Sequence, residues 1–320
     1  MKRKIRKAAV LGAGVMGSTI AAHLANAGIP TYLLDIVPDS LTDVDKKKGL
    51  TEESLDFRNK LAIAGVANAR KAAPAPFFIL ENSKLVTPGN FEDHLDWLGE
   101  VDWIIEVVAE NLEIKKSLFK KVEAVRKPGT IVSTNTSGLS INRMTEETSQ
   151  EFREHFVGTH FFNPPRQMKL LEIIPGADTS KEIVDFMMDF CEILLGKGIV
   201  IAKDTPNFIA NRIGVHGAIT AVRYMKDNDY TIEEVDAITG PPMGRPKSAT
   251  FRTADLVGLD VLVHVIENVR DNAGDEKERR DFAVPELLAQ MVEKNLLGDK
   301  TQKGFYQKVK TDEGSQIHAL

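Results

Sequence analysis

Two sets of residues in this sequence have the types and spacing that chemistry on a nucleotide-bound substrate would need. The first is Gly12-Ala13-Gly14-Val15-Met16-Gly17, which follows the apolar run Ala8 to Leu11 and opens an Ala-rich helical stretch. Asp35 closes a second apolar run about twenty positions on, and in that setting the glycine spacing reads as a dinucleotide fingerprint. Gly12 permits a tight turn, Gly14 lets a diphosphate approach the backbone, and Gly17 lets the helix lie close to the strand. Val15 and Met16 begin the helix whose free amides and positive end receive the diphosphate. Asp35 is placed to accept hydrogen bonds from both ribose hydroxyls of an adenosine. A carboxylate there repels a 2′-phosphate, and Ile36-Val37 after it offer no arginine, so NAD is expected over NADP. The competing reading is a glycine turn in an ordinary α/β domain.

The second set would move a proton beside that nucleotide. His160 follows an apolar strand-like run and lies next to the break at Pro164-Pro165. Glu172 stands between Leu171 and Ile173, where a carboxylate is costly unless partnered. A buried His–Glu pair would meet that cost and hold the imidazole in one tautomer. Against this, His160 can be structural and Glu172 can face outward on an edge strand. Ser137 is either a hydroxyl donor to a substrate oxygen or a turn former. Asn211 either reaches a cleft or caps locally.

The elements that must position these groups follow from the pattern. Apolar runs at Ala8 to Leu11, Thr31 to Leu34, Trp103 to Val108, Thr130 to Thr134, Phe156 to Phe162, Leu170 to Ile174 and Gly198 to Ala202 read as strands. Short strands are also expected at Phe77 to Leu80 and Lys84 to Thr87, with a loop at Pro88-Gly89-Asn90. Helices are expected over Leu50 to Ala73, Leu112 to Val125 and Glu182 to Leu195. Polar residues at the carboxyl ends of such strands, here Glu106, Glu110, Asn111 and Asn135 to Gly138, are where ligands bind in an open α/β sheet. At Asp204-Thr205-Pro206 the character changes: Thr205 is a plausible N-cap with Pro206 in the first turn. A helix from Asn207 to Lys226 follows, then helical patterns at Ile232 to Ile238, Ala254 to Arg270 and Pro285 to Asn295. Asp275 to Asp281 reads as a solvated loop, and no further strand is expected.

The bulk numbers bound the function. The 320 residues are 42% hydrophobic and 27% charged with a formal net charge of −5, which argues against a nucleic-acid surface. Cys191 is the only cysteine, so neither a disulfide nor a cysteine-rich metal site is expected, and a cytoplasmic location fits best. The basic opening before Ala8 reads as a tail leading into a strand rather than a signal peptide. No apolar run is long enough to span a membrane.

Taken together, several segments resemble the L-3-hydroxyacyl-coenzyme A dehydrogenases of fatty-acid β-oxidation. They are Gly12 to Gly17, Glu110-Asn111-Leu112, Asn135-Thr136-Ser137, His160-Phe161-Phe162-Asn163-Pro164, and Lys203 to Arg212. Val257-Gly258-Leu259-Asp260 and Lys303-Gly304-Phe305-Tyr306 also match. The resemblance is closest to the dehydrogenase region of longer bacterial multifunctional proteins, in which an enoyl-coenzyme A hydratase module follows. It implies a Rossmann-type doubly wound α/β domain, residues 1–203, that binds NAD. A smaller all-α domain, residues 204–320, would close the substrate cleft and make a homodimer face. It also implies a catalytic His160–Glu172 pair, with Ser137 and Asn211 on the substrate and Asp35, Glu110, Lys115 and Asn163 around the NAD. The substrate would be an acyl-coenzyme A thioester. Gly138 stands where a second serine is frequent, and Asp43 to Pro76 departs from the usual coenzyme A-contacting arm. Lys46 to Lys48 and Arg58 there have the chemistry to meet its phosphates.

The function expected is therefore NAD-dependent oxidation of an L-3-hydroxyacyl-coenzyme A. The alternatives are a dehydrogenase of a free hydroxy acid or sugar acid, and a non-catalytic dinucleotide-binding protein on the same fold.

Overall fold

The structure, a computed structural model, describes residues 3–311 and 314–319. It falls into two compact units, Met1–Thr205 and Pro206–Leu320.

The first unit is built on an eight-stranded sheet. In chain order the strands are β1 (Ala8–Leu11), β2 (Thr31–Asp35), β3 (Val86–Asn90), β4 (Trp103–Glu106), β5 (Ile131–Thr134), β6 (Phe156–Phe161), β7 (Leu170–Pro175) and β8 (Gly198–Ile201). Their spatial order is β3-β2-β1-β4-β5-β6-β7-β8. Every neighbouring pair is parallel except β6 and β7, which run antiparallel. Around the sheet lie α1 (Val15–Asn26), α2 (Asp43–Lys47), α3 (Leu55–Arg58), α4 (Lys60–Lys71), α5 (Leu112–Val125), α6 (Ile141–Thr145), α7 (Gln150–Glu154) and α8 (Lys181–Ile193). All residues of β1, β4 and β5 are buried. That is why β1 and most of β4 read as near-continuous apolar runs rather than alternating ones. The strand order reverses between β1 and β4, and this opens a crevice at their carboxyl ends. Gly12 leaves β1 there, and Val107 leaves β4.

The second unit contains α9 (Ala210–Asp227), α10 (Ile232–Thr239), α11 (Phe251–Val257), α12 (Leu259–Asp271), α13 (Glu276–Asp281) and α14 (Glu286–Glu293). Ile219, Val222, Phe251, Leu259, Ile266, Val269, Leu288 and Phe305 form its core. An antiparallel hairpin, β9 (Tyr306–Thr311) and β10 (Gly314–Ala319), was not expected in an all-helical unit. Asp255 on α11 fastens its start by accepting the backbone N–H groups of Phe305 and Tyr306, both at 2.8 Å.

Several local expectations are corrected. Phe77 to Leu80 is no strand; the chain passes into a 3-10 turn, Leu80–Leu85. Pro88, Gly89 and Asn90, expected as a loop, belong to β3. A proline is tolerated because β3 is the outermost strand, so its missing N–H interrupts no inner ladder. The helical stretch expected from Leu50 to Ala73 starts later and divides at Asn59 into α3 and α4. Thr205 caps nothing, because Asn207 and Phe208 have φ of 59° and 52° and delay α9 to Ala210. Gly258, at φ 102°, splits the pattern from Ala254 to Arg270 into α11 and α12. The charged stretch from Asp275 is the short helix α13, capped by the Asp275 carboxylate accepting from Glu278 N at 2.8 Å.

Candidate active site

At the crevice between β1 and β4 the glycine turn is dictated by close approach. A Cβ on Gly12, whose φ is 109°, would lie 2.5 Å from the Val107 carbonyl oxygen. One on Gly17 would lie 1.8 Å from the Gly12 carbonyl oxygen, so α1 could not pack where it does. At Gly14 a Cβ would meet nothing within 4 Å, and the backbone there faces open space. The first amides of α1, those of Val15 and Met16 among them, have no intrahelical partner and a positive dipole end behind them. Asp35 reaches back from β2. Its Oδ2 accepts Ala13 N at 2.6 Å and its Oδ1 accepts Ile36 N at 2.7 Å, which fixes the carboxylate beside the turn. Beyond it a cavity of about 730 Å³ is lined by Gly12, Gly14 and Asp35 with Ile36, Val107 and Ile114. Donor amides, an anchored carboxylate and an apolar-walled cavity fit a diphosphate, a ribose and an adenine in turn.

The ends of β4 and β5 are tied by a buried charge network. Glu106 and Lys115 are 0% and 1% exposed, and Lys115 Nζ donates to Glu106 Oε1 at 2.6 Å. Glu106 also accepts the Thr134 hydroxyl at 2.5 Å and Val108 N at 2.7 Å. Burial pushes its carboxyl upward, against the pull of Lys115 and these donors. The same ammonium lies 3.4 Å from Glu110, whose Oε1 accepts the Thr136 hydroxyl at 2.6 Å and Ser137 N at 2.9 Å. Lys115 therefore sits beneath the crevice rim holding Glu110, while Ser137 is exposed on the rim. Asp204 adds a support the sequence pattern did not single out. It accepts Ile141 N at 2.8 Å, the Ser140 hydroxyl at 2.8 Å and Asn142 Nδ2 at 2.6 Å, and so fixes the loop that leaves Ser137.

His160 and Glu172 are directly opposite each other in the antiparallel β6–β7 pair. His160 Nδ1 lies 2.7 Å from Glu172 Oε2, and the two residues are 4% and 1% exposed. Glu172 therefore does not face outward on an edge strand. With Nδ1–H donated to the carboxylate, a neutral imidazole carries its lone pair on Nε2. The Phe162 ring stands 4.3 Å from the imidazole, centroid to centroid, and Asn163 is exposed just beyond. Asn135 Oδ1 accepts Phe161 N at 2.8 Å, which joins the ends of β5 and β6. Of the sequence-selected residues, Glu110, Ser137, His160, Asn163 and Glu172 thus stand in or just past β4–β7, with Lys115 on α5 beneath Glu110. Gly12, Gly14, Val15, Met16, Gly17 and Asp35 form the turn at β1 and β2. Asn211 belongs to the second unit, half-buried in the first turn of α9.

One expected phosphate ligand is already engaged. Arg58 donates to Asp93 at 2.6 Å and Glu92 at 2.8 Å, pairings that hold its guanidinium above the usual range. Lys46, Lys47 and Lys48 remain exposed around the end of α2.

Comparison with known proteins agrees with this geometry. The family model described as the 3-hydroxyacyl-CoA dehydrogenase NAD binding domain matches residues 7–205. That of the C-terminal domain matches residues 208–308. A probable 3-hydroxyacyl-CoA dehydrogenase of Bacillus subtilis is 55% identical over 321 residues, which cover 100% of this chain and 40% of that protein. The chain thus spans less than half the length of that relative. A probable 3-hydroxyacyl-CoA dehydrogenase of Deinococcus radiodurans is 47% identical over 309 residues, 97% of this chain and 84% of that one. Among solved structures, an (S)-3-hydroxybutyryl-CoA dehydrogenase of Ralstonia eutropha superposes with a TM-score of 0.72 at 26% identity. It covers 94% of this chain and 98% of its own.

Proposed function

Because the chain belongs to the 3-hydroxyacyl-CoA dehydrogenase family and opens with that family's NAD-binding domain, we propose that it oxidises an L-3-hydroxyacyl-coenzyme A to the 3-ketoacyl-coenzyme A. The observation that carries this reading is the buried His160–Glu172 pair, 2.7 Å apart at the end of a strand beside the nucleotide crevice.

Bound NAD supplies the hydride acceptor. His160 takes the proton of the substrate's C3 hydroxyl on Nε2, and Glu172 holds the imidazole in that tautomer and stabilises the imidazolium as it forms. The alcohol loses one hydride from C3 and one proton from oxygen, so the products are one ketone, one NADH and one proton. Ser137 and Asn211 orient the substrate. Asp35 holds the adenosine ribose, Glu110 and Asn163 line the remaining path of the cofactor, and Lys115 acts on that path from beneath through Glu110. Residues 1–203 act as the NAD-binding domain and residues 204–320 as the cleft-closing and dimer-forming domain. The dimer is supported by Ile213, Tyr224, Ile238, Leu256 and Val257, all exposed on the helical unit. An enoyl-coenzyme A hydratase module in the same longer polypeptide belongs to this reading, and the Bacillus relative, of which the chain spans 40%, has room for one. A cytoplasmic location is part of it too. No described helix is long and apolar enough to cross a membrane.

The test is NADH formation with 3-hydroxybutyryl-coenzyme A, run beside free 3-hydroxybutyrate. Turnover of the thioester alone is expected. Turnover of the free acid alone would replace this reading with that of a free hydroxy-acid dehydrogenase.

A further inference from the structure

Lys197 lies between α8 and β8 and has been given no role above, yet it is only 4% exposed. Its ammonium donates to the carbonyl oxygens of Pro165 and, at 2.9 Å, Met168. These carbonyls belong to the turn that follows Phe162-Asn163, where Gln167 N and Met168 N both return to the Pro164 carbonyl oxygen at 3.1 and 3.0 Å. The lysine's own backbone is fixed: Lys197 N donates to Cys191 O at 3.0 Å, and Gly198 N to Lys169 O at 2.8 Å. On its outer side the turn is tied again, by Arg166 and Gln167 donating to Ala75 O at 2.6 and 3.2 Å. The segment that leaves His160 is thus gripped from beneath by one buried cation.

We propose that Lys197 is a positioning residue that clamps the turn at Pro164–Met168 and so holds Phe162 and Asn163 against the cofactor site, with a grip that weakens as the ammonium loses its proton. This rests on the reading above that places Asn163 beside the NAD.

The surroundings make that proton loss accessible. Burial pushes Lys197 down to about 8. The titratable and charged groups around it are His23 from α1, Cys191 from α8 and Arg166 from the turn itself. Burial, aided by the charge of Lys197, brings His23 down to about 4, so it is neutral when Lys197 titrates. Burial raises the Cys191 thiol, which is therefore neutral there as well. The Phe161 ring lies 5.6 Å from the ammonium. Among the described residues no carboxylate is within ion-pair distance of Lys197, so carbonyl oxygens and a ring face carry the charge. A neutral amine can still donate to both carbonyls, but hydrogen bonds from a charged donor are roughly twice as strong. The turn should loosen on deprotonation without unfolding.

The experiment is NADH affinity by fluorescence titration from about pH 6.5 to about pH 9.5, a range below the ordinary lysine pKa of about 10.4. It compares the wild-type chain with Lys197→Met, Lys197→Arg and Asn163→Ala. Wild type should weaken about five- to tenfold with a midpoint near pH 8, the loss expected when charge assistance goes from two hydrogen bonds. Lys197→Met should be weak at every pH with no step. Lys197→Arg, charged throughout, should bind well and lose the step. A flat wild-type profile, or a step near pH 8 that survives in Lys197→Arg, would overturn the clamp even if Lys197→Met does not fold. If Asn163→Ala binds NADH normally while Lys197→Met is weak and stepless, the clamp stands and the role of Asn163 falls. If Asn163→Ala is weakened and Lys197→Met follows wild type at every pH, the clamp falls and the site reading stands.

Discussion

Glu106 and Glu172 are both sealed inside the first unit, and their partners differ in kind. Glu106, at the end of β4, meets an ammonium, a hydroxyl and a backbone N–H. Glu172, in β7, faces the imidazole of His160 across an antiparallel pair. The parallel strand ends carry an ammonium–carboxylate pair locked in place by further donors. The antiparallel pair carries an imidazole, a group that can take up and give back a proton in general acid–base chemistry. One arrangement fixes geometry and the other can do acid–base work. The difference lies less in burial, which is near complete for both, than in what the burial is shared with.

The comparison breaks most visibly at His160. Under the proposed mechanism His160→Ala removes the general base, and turnover should fall roughly 10²–10⁴-fold while NADH still binds. Stopped-flow or steady-state NADH formation checks the first part, and fluorescence titration the second. Near-normal turnover would show that the proton leaves by another route.

Lys115→Met attacks the other pair and should injure stability instead. Removing one partner of a buried ion pair costs about 3–5 kcal/mol, because the remaining charge stays desolvated. The pH dependence has a definite sign. Burial already pushes Glu106 upward with Lys115 present, and without it the folded-state value rises further. Above the unfolded carboxyl value the folded variant then binds more protons than the unfolded chain, so its stability falls as pH rises and recovers on acidification. Urea titrations of both chains at several pH values measure this. A loss that does not ease toward acid pH would mean that Glu106 is not the stranded charge.

Glu172→Gln sharpens the contrast, since glutamine can still accept from Nδ1–H but cannot stabilise an imidazolium. Turnover should drop about 10- to 100-fold, below the range for losing the base itself. Adding it to His160→Ala should cost far less than the product of the two single effects, because the groups act as one unit. Full additivity in kcat would separate them.

How much of this was legible in the sequence follows from where each signal resides. The glycine turn and Asp35 are local: Gly17 answers to Gly12 within the turn and Gly12 to the end of the adjoining strand, while Gly14 faces open space. His160 and Glu172 were legible as a pair because a carboxylate inside the run Leu170 to Ile174 needs a partner, and an antiparallel return brings one opposite it. Lys115 gave no such signal for its place in a buried network. On a helix rich in lysine it looks like any solvated residue until α5 packs on β4. Arg58 misled for the opposite reason, since its capture by Glu92 and Asp93 depends on a contact more than thirty positions away. The hairpin was hidden by composition: Tyr306–Thr311 reads Tyr-Gln-Lys-Val-Lys-Thr, with too little apolar alternation to mark a strand.

The smallest expected effect tests whether the Glu106 network is scaffold alone. Thr134 Oγ1 donates to Glu106 Oε2 at 2.5 Å, and both residues are fully buried. Thr134→Val keeps the volume and the β-branched shape that suits β5, but leaves one carboxylate oxygen short of a donor. A buried acceptor deprived of one partner costs about 1–2 kcal/mol, less than the loss of Lys115 because the ion pair survives. Thr134 also accepts Thr136 N at 3.2 Å, so part of that cost is a small loosening just before Ser137. If the network only supports the strand ends, the variant should unfold at lower urea while kcat stays within about twofold of wild type, since no hydrogen bond to the His160–Glu172 pair is removed. A tenfold fall in kcat with unchanged stability would reverse the assignment. It would place Glu106 and its hydroxyl partner in the proton-moving machinery rather than beneath it.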